Sequence, residues 1–218
     1  MQRTLAALTT LIALTAGCSS TGSGNNANNL NNDNPDMTVG PDLAQFDPGP
    51  YPTNNPGITV GKTLANLSGK GYLLTKDDTD ASALTLQTIA VDVIRKRQEC
   101  KCLMLSQSAT WCGPCNAEQQ ELIDAVTADP SFCVFNVLID GPVPGTRATS
   151  SDVLDWNQRH FQNFPVIGAN ISTYAHLPNP MFLPTNVVVR PSTMEILYIG
   201  SGLGPTTISD AKALCAGN

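Results

Sequence analysis

Two cysteines three positions apart, where a strand-like run gives way to a helix-like run, constrain this 218-residue chain more than any other feature. The stretch reads Ser108-Ala109-Thr110-Trp111-Cys112-Gly113-Pro114-Cys115-Asn116-Ala117-Glu118. The apolar run Cys102 to Leu105 precedes it and a helix-like run, Glu118 to Ala128, follows. Thiols at such a junction can close a small disulfide ring. The first can also sit where free backbone N–H groups and the helix dipole stabilise a thiolate. Reversible dithiol/disulfide exchange requires both. With the next apolar run, Cys133 to Ile139, the segment predicts a βαβ unit with a right-handed crossover and a parallel strand pair.

Composition bounds the rest. Apolar residues make up 41% of the chain, enough for a core, and the formal charge is −6. No Lys/Arg cluster is available to neutralise phosphates, so nucleic acid is excluded as a partner. The densest basic run, Arg95-Lys96-Arg97, reads as the solvated end of a helix.

Residues 1–17 read as a targeting segment. Arg3 is the only charge before Asp33, and Leu5 to Ala16 form an apolar stretch that suits a signal peptide. Spanning a bilayer takes about 20 residues, more than this stretch supplies. Leu14-Thr15-Ala16-Gly17-Cys18-Ser19 resembles a bacterial lipobox, in which the cysteine becomes the diacylated N-terminus, although Leu14 lies one place further from Cys18 than the usual pattern has it. Ser19 after the cysteine resembles the signal of outer-membrane lipoproteins. Ordinary secretory cleavage near Ala16, leaving Cys18 free, is the alternative. Loss of residues 1–17 removes only Arg3 and takes the charge from −6 to −7. Export would place the remaining cysteines in an oxidising compartment. Cys100, Cys102, Cys112, Cys115, Cys133 and Cys215 then allow one redox pair and up to two structural bridges. Three connectivities are open to the other four cysteines.

Residues 18–56 are rich in Asn, Gly, Ser and Pro, and are expected to form a flexible tether reaching a few tens of ångströms. The compact domain is placed at 57–218. Ile58 to Val60 and Gly71 to Thr75 are expected strands, Asp77 to Asp80 a loop, and Thr88 to Gln98 a helix. Ser150 or Ser151 should cap a helix to about Gln162, with Val153, Leu154, Trp156 and Phe161 as its apolar positions. Phe164 to Ile167 is a short extended piece, Asn186 to Arg190 and Met194 to Ile199 make a hairpin, and Thr206 to Ala216 closes the chain as a helix.

On these motifs the region from about Gly57 to Ala216 resembles the thioredoxin-like superfamily, and within it the exported thiol–disulfide oxidoreductases of the TlpA/ResA type. Trp111-Cys112-Gly113-Pro114-Cys115 carries the resemblance. So do Leu183-Pro184-Thr185 before a strand, and an insert at about 141–183 between the βαβ and ββα halves. The fold implied is α/β, a central mixed sheet flanked by helices, with an N-terminal extension.

The chemistry assigns the roles. Cys112, exposed at the helix N-terminus, should be the nucleophile, and Cys115 the resolving thiol. Pro114 is tolerated in the first turn because its missing N–H would be unpaired there, and Gly113 lets a substrate backbone approach. Trp111 by resemblance flanks the substrate groove. Pro184, cis by resemblance, would present the Leu183 backbone to an extended peptide and keep a metal from bridging the thiols. Thioredoxins carry an acid in the strand six positions before the first cysteine; here that position is Ser106. Glu118 reads as a first-turn acid complementing the helix dipole.

The resemblance implies protein disulfide substrates, among them the CxxCH of apocytochrome c, and a membrane thiol–electron carrier that recharges the protein. It implies no cofactor and no metal. The Gly-Pro pair matches the reducing members of the family. Other readings are weaker. Cys100 and Cys102 with Cys112 and Cys115 supply four sulfurs for zinc, but they lie about 30 Å apart along one strand. Peroxiredoxins want a Pro-x-x-x-Thr-x-x-Cys pattern that Thr110 does not complete. Copper chaperones of the Sco type want CxxxC and a histidine; His160 and His176 read as surface or boundary residues. Asp140 ends a strand where sites form, and also reads as a turn residue. A non-catalytic scaffold lipoprotein with a structural Cys112–Cys115 bond is the remaining alternative.

Overall fold

The computed structural model describes residues 48–72, 85–160, 162–178, 182–201 and 207–217. The signal segment, Cys18, the tether up to residue 47, Leu73 to Thr75, the loop Asp77 to Asp80, Phe161 and Thr206 lie outside the described residues.

Cys102 and Leu103 open a strand that is apolar on both sides because layers cover both of its faces. This is β3 (Cys102–Ala109), all eight residues of which are buried. It sits inside a seven-stranded sheet with β1 (Ser68–Tyr72), β2 (Gln87–Ala90), β4 (Phe132–Asp140), β5 (Val166–Gly168), β6 (Thr185–Arg190) and β7 (Glu195–Ser201). The strand order is β2-β1-β5-β4-β3-β6-β7. β3 pairs in parallel with β4 and antiparallel with β6, so the sheet is mixed. The helices are α1 (Asp92–Arg95), α2 (Gly113–Ala128), α3 (Ser150–His160), α4 (Ile171–Ala175) and α5 (Thr207–Ala216).

Alternation along β3 divides the core. Leu103 and Leu105 join Phe135, Val137, Val187 and Val189 on one face, while Cys102 and Met104 join Leu122, Phe132 and Val134 on the other. Nearer the C-terminal ends of β3 and β4 a third cluster gathers Cys112, Cys115, Leu138, Val153 and Trp156. Trp156 is fully buried, as its reading as an anchor requires.

Several boundaries move. Ile58 to Val60 form a bend instead of a strand, and Gly61 turns the chain with φ +81°. Thr88 to Gln98 splits into β2 and the short α1, because Ile89 and Val91 alternate as in a strand before Ile94 turns inward. The cap of α3 is Thr149, one residue before Ser150: its Oγ1 accepts from Asp152 N–H at 3.3 Å, and Asp152 Oδ2 accepts from Thr149 N–H at 2.7 Å. This reciprocal pair satisfies two donors at once. The insert is not an appendage, since β5 lies between β1 and β4 in the sheet.

Arg95 is not solvated. It is only 3% exposed. Its guanidinium donates to Asp92 Oδ1 at 2.8 Å and to the carbonyls of Pro48 and Gly49. A buried cation needs such partners, and here the N-terminal segment supplies two of them. Tyr51 packs on the core and its hydroxyl donates to Leu64 O at 2.9 Å. Residues 48–56, expected within the tether, thus include positions fastened to the domain.

The other four cysteines form two bridges, Cys100–Cys133 and Cys102–Cys215, with Cα–Cα distances of 5.8 and 5.4 Å. Both sit where β3 begins, at the end of the sheet away from Cys112.

Candidate functional site

Cys112 is the N-cap of α2 and adopts an extended conformation, φ −80° and ψ 106°. That geometry points its Sγ back at the first turn, where Cys115 N–H donates to it at 3.1 Å. Gly113 and Pro114 are the first two helical residues, so the missing donor of Pro114 costs no intrahelical bond. Cys112 and Cys115 are joined as a disulfide with Cα atoms 5.2 Å apart. A Cβ placed on Gly113 would meet nothing within 4 Å, so the surface in front of the motif is open.

Cys112 itself differs from expectation, being only 3% exposed. The disulfide draws its sulfur toward the fully buried Cys115, and Leu183 packs into the same cluster. The exposed edge is made instead by Trp111, Gly113 and Pro114.

The Leu183–Pro184 bond is cis. Thr185, singled out as a site residue, is turned inward and 1% exposed. Its Oγ1 donates to Phe182 O at 2.8 Å, closing the turn around Pro184. Thr185 therefore shapes the loop from its inner side.

Trp111 is 44% exposed and anchored at its nitrogen, Nε1–H donating to Asp140 Oδ2 at 3.3 Å. The same oxygen accepts from Gly145 N–H at 2.8 Å. Asp140 thus ties the indole to the loop that follows β4. Replacing Asp140 with alanine is expected to speed amide exchange at Gly145 by more than tenfold while costing only about 1 kcal/mol of stability. Unchanged exchange at Gly145 would mean that the carboxylate does not hold this loop.

Behind Cys115 the structure departs furthest from the sequence reading. Glu118 is not in the first turn and does not face solvent; it is 3% exposed. Ser106 Oγ–H donates to its Oε2 at 3.2 Å, and Asn186 Nδ2–H donates to its Oε1. Burial pushes the carboxyl up to about 7, against the pull of those two bonds. The position left without an acid in β3 is therefore in contact with an acid from α2. Glu118 lies three residues after Cys115 and so shares its helix face.

Two more groups reach the motif from the insert. Asn116 Nδ2 donates to Cys112 O at 2.7 Å and to Thr110 O at 3.3 Å. Its Oδ1 lies 3.4 Å from Arg159 Nη1 and 3.1 Å from His160 Nε2. Burial, then the charge of Arg159, holds the His160 imidazole down at about 4. An amide oxygen can only accept, so Nε2 is the ring nitrogen that donates to Oδ1. His176 is exposed, and its Nδ1 lies 2.8 Å from Ser172 O in its own turn.

Sequence reasoning brought Trp111, Cys112, Gly113, Pro114, Cys115, Leu183 and Pro184 to one end of the sheet, where they are found. It read His160 as a surface or boundary residue, and His160 is half-buried; it missed Asn116, Arg159 and Asn186 and misread Glu118. The signal for Glu118 was present: Cys115, Glu118, Gln119 and Leu122 are spaced as one helix face, and all four are buried.

No family model matches the chain, and no curated protein matches it. Solved structures do. The thioredoxin domain of a thiol-disulfide oxidoreductase from Bacteroides vulgatus aligns at TM-score 0.52 and 11% identity, over 73% of this chain and 99% of that one. A DsbF homologue from Corynebacterium diphtheriae aligns at 0.50 and 14%, over 78% and 100%. A thiol:disulfide interchange protein from Bacteroides sp. aligns at 0.50 and 11%, over 73% and 91%. With its mixed sheet, its flanking helices and the cis proline opposite the CxxC turn, the chain has the thioredoxin fold.

Proposed function

We propose that this protein is a thiol–disulfide oxidoreductase of exported proteins, working as a reductant through Cys112 and Cys115. The observation that supports it most is the disulfide at the mouth of α2, with Cys115 N–H donating to Cys112 Sγ at 3.1 Å. In the reduced protein that N–H and the helix dipole would favour a Cys112 thiolate. The thiolate attacks one sulfur of a substrate disulfide and the other sulfur departs as a thiolate. Cys115, its proton taken up by Glu118, then attacks Cys112 Sγ, releases the reduced substrate and restores the bond. Two electrons pass to the substrate in each cycle, so a membrane thiol–electron carrier must return them. The acceptors are protein disulfides, with the CxxCH of apocytochrome c in that class. An extended segment of the substrate would pair with the backbone at Leu183, beside Pro184. The chain would be held in the cell envelope, facing the periplasm, by lipid on Cys18. Among the described residues no helix is long and apolar enough to cross a membrane.

A second reading has one observation in its favour. Cys112 is 3% exposed, which suits a structural disulfide in a binding or scaffold lipoprotein. Redox titration of the Cys112/Cys115 couple separates the two. A potential within about −270 to −120 mV, the span of thioredoxin-fold catalysts, is expected of the enzyme, and one below about −300 mV of the scaffold. Insulin reduction with Cys112→Ser as control completes the test; equal turnover by both proteins ends the catalytic reading.

A further inference from the structure

Asn116 joins the reactive turn to α3, and its two ends do different work. The carboxamide nitrogen donates to Thr110 O and Cys112 O, so both carbonyls that flank Trp111 are held by one side chain. The Cys112 carbonyl also accepts the Asn116 backbone N–H at 3.1 Å, and Cys112 N–H donates to Ala109 O at 3.0 Å. The carboxamide oxygen faces Arg159 Nη1 and His160 Nε2 at the end of α3. This orientation is the only one in which acceptors meet the NH2 group and donors meet the oxygen. His160 is fixed in turn by Trp156, whose ring centre is 4.5 Å away and which is fully buried.

We propose that Asn116 is a positioning residue for the Cys112/Cys115 couple: clamped by Arg159 and His160, it fixes the Thr110 and Cys112 carbonyls, and α3 thereby sets the potential of the disulfide. The inference rests on the thiol–disulfide reading in that the bond must open and close. In the oxidised protein the covalent bond itself holds Cys112 Sγ against the first turn of α2. On reduction a reference dithiol gives up two electrons and two protons, its sulfurs become a disulfide, and the Cys112–Cys115 bond is replaced by two thiols. Cys112 Sγ then stays aimed at Cys115 N–H only if the backbone through residues 110–112 keeps its course. The brace supports the reduced form more than the oxidised one. Stabilising the reduced form raises the potential.

The test is equilibration of each protein with a dithiothreitol redox buffer, read by alkylation and mass spectrometry, with thermal unfolding measured alongside. Asn116→Ala is expected to shift the equilibrium constant about 3- to 10-fold toward the disulfide, the worth of a hydrogen bond or two. That is about 15 to 30 mV more negative. The Cys112 thiol should titrate higher in the same variant. Asn116→Asp keeps an oxygen for Arg159 and His160 but cannot donate to either carbonyl, so it should shift at least as far. Arg159→Ala, at an exposed position, should shift in the same direction by less. A residue serving only the fold would lower the unfolding temperature and leave the equilibrium constant alone. Constants within twofold of wild type for folded Asn116→Ala or Asn116→Asp overturn the proposal. If either fails to fold, the shift measured in the other, or in Arg159→Ala, decides between brace and fold. Shifted constants in a protein that reduces no insulin would keep the brace and sink the enzyme. Turnover with unshifted constants would sink the brace alone.

Discussion

Glu118→Gln is expected to slow turnover about 100-fold at pH 7, with binding of substrate little changed. The carboxyl lies one helical turn beyond Cys115, is bonded to Ser106 and Asn186, and is pushed up to about 7 by burial. It is therefore about half ionised at neutral pH, the condition under which a group can take a proton and return it. Glutamine preserves the shape and removes the base, and general bases contribute about 10²- to 10⁴-fold. The rate of the second step, followed as decay of the mixed disulfide, is the direct measurement; a variant within threefold of wild type would remove Glu118 from the chemistry. Stability gives a second readout. Because the folded carboxyl titrates above its ordinary value, its favourable contribution is complete below about pH 4.5 and is lost as pH rises through about 7. The oxidised protein should lose on the order of 3 kcal/mol from this group between pH 4.5 and the alkaline side of 8. Urea unfolding of Glu118→Gln should show that part of the pH dependence flattened.

Removing the Cys102–Cys215 bridge is expected to cost about 5 kcal/mol, from the loop-closure entropy of cysteines 113 positions apart. Cys100–Cys133 closes a separation of only 33 and should cost about 4 kcal/mol. A domain of this size has about 5 to 15 kcal/mol in hand, so the longer bridge decides whether α5 stays on β3 and β6. Both cysteines should be changed together to alanine, and urea midpoints compared with the corresponding double variant of the shorter bridge. A loss below 1 kcal/mol for Cys102 and Cys215 would show that α5 is held by packing alone. The potential of Cys112/Cys115 should not move, because both bridges lie at the other end of β3.

The parts of the site that were legible are those that chemistry confines to a short span. Cys112 to Cys115 could be placed on a helix start because neighbouring strand and helix patterns bracket them. Pro184 followed from its resemblance and its place before a strand. What needed coordinates was contact between distant segments. Ser106 and Glu118 are 12 positions apart, and Glu118 and Asn186 are 68 apart. Those meetings depend on how α2 lies across β3 and β6, which no local pattern specifies. Pairing of the remaining cysteines was open for the same reason. Arg95 was misread because a short basic run usually faces water, and its partners, the carbonyls of Pro48 and Gly49, lie 47 and 46 positions away. Thr88 to Gln98 was misread because strand alternation through Ile89 and Val91 and helical spacing through Val91 and Ile94 share Val91.

The grip of Arg95 on Pro48 and Gly49 also gives the domain a direction. Pro48 and Arg95 border one cleft with Cys100 and Pro191, where β3 begins and β6 ends. The reactive turn caps the opposite pole, beyond the eight residues of β3, a rise of about 25 Å. Pro48 and Gly49 are therefore fastened at the pole away from the disulfide. Force applied to the domain at Pro48 would strain the Arg95 latch before it disturbed the Cys112–Cys115 turn.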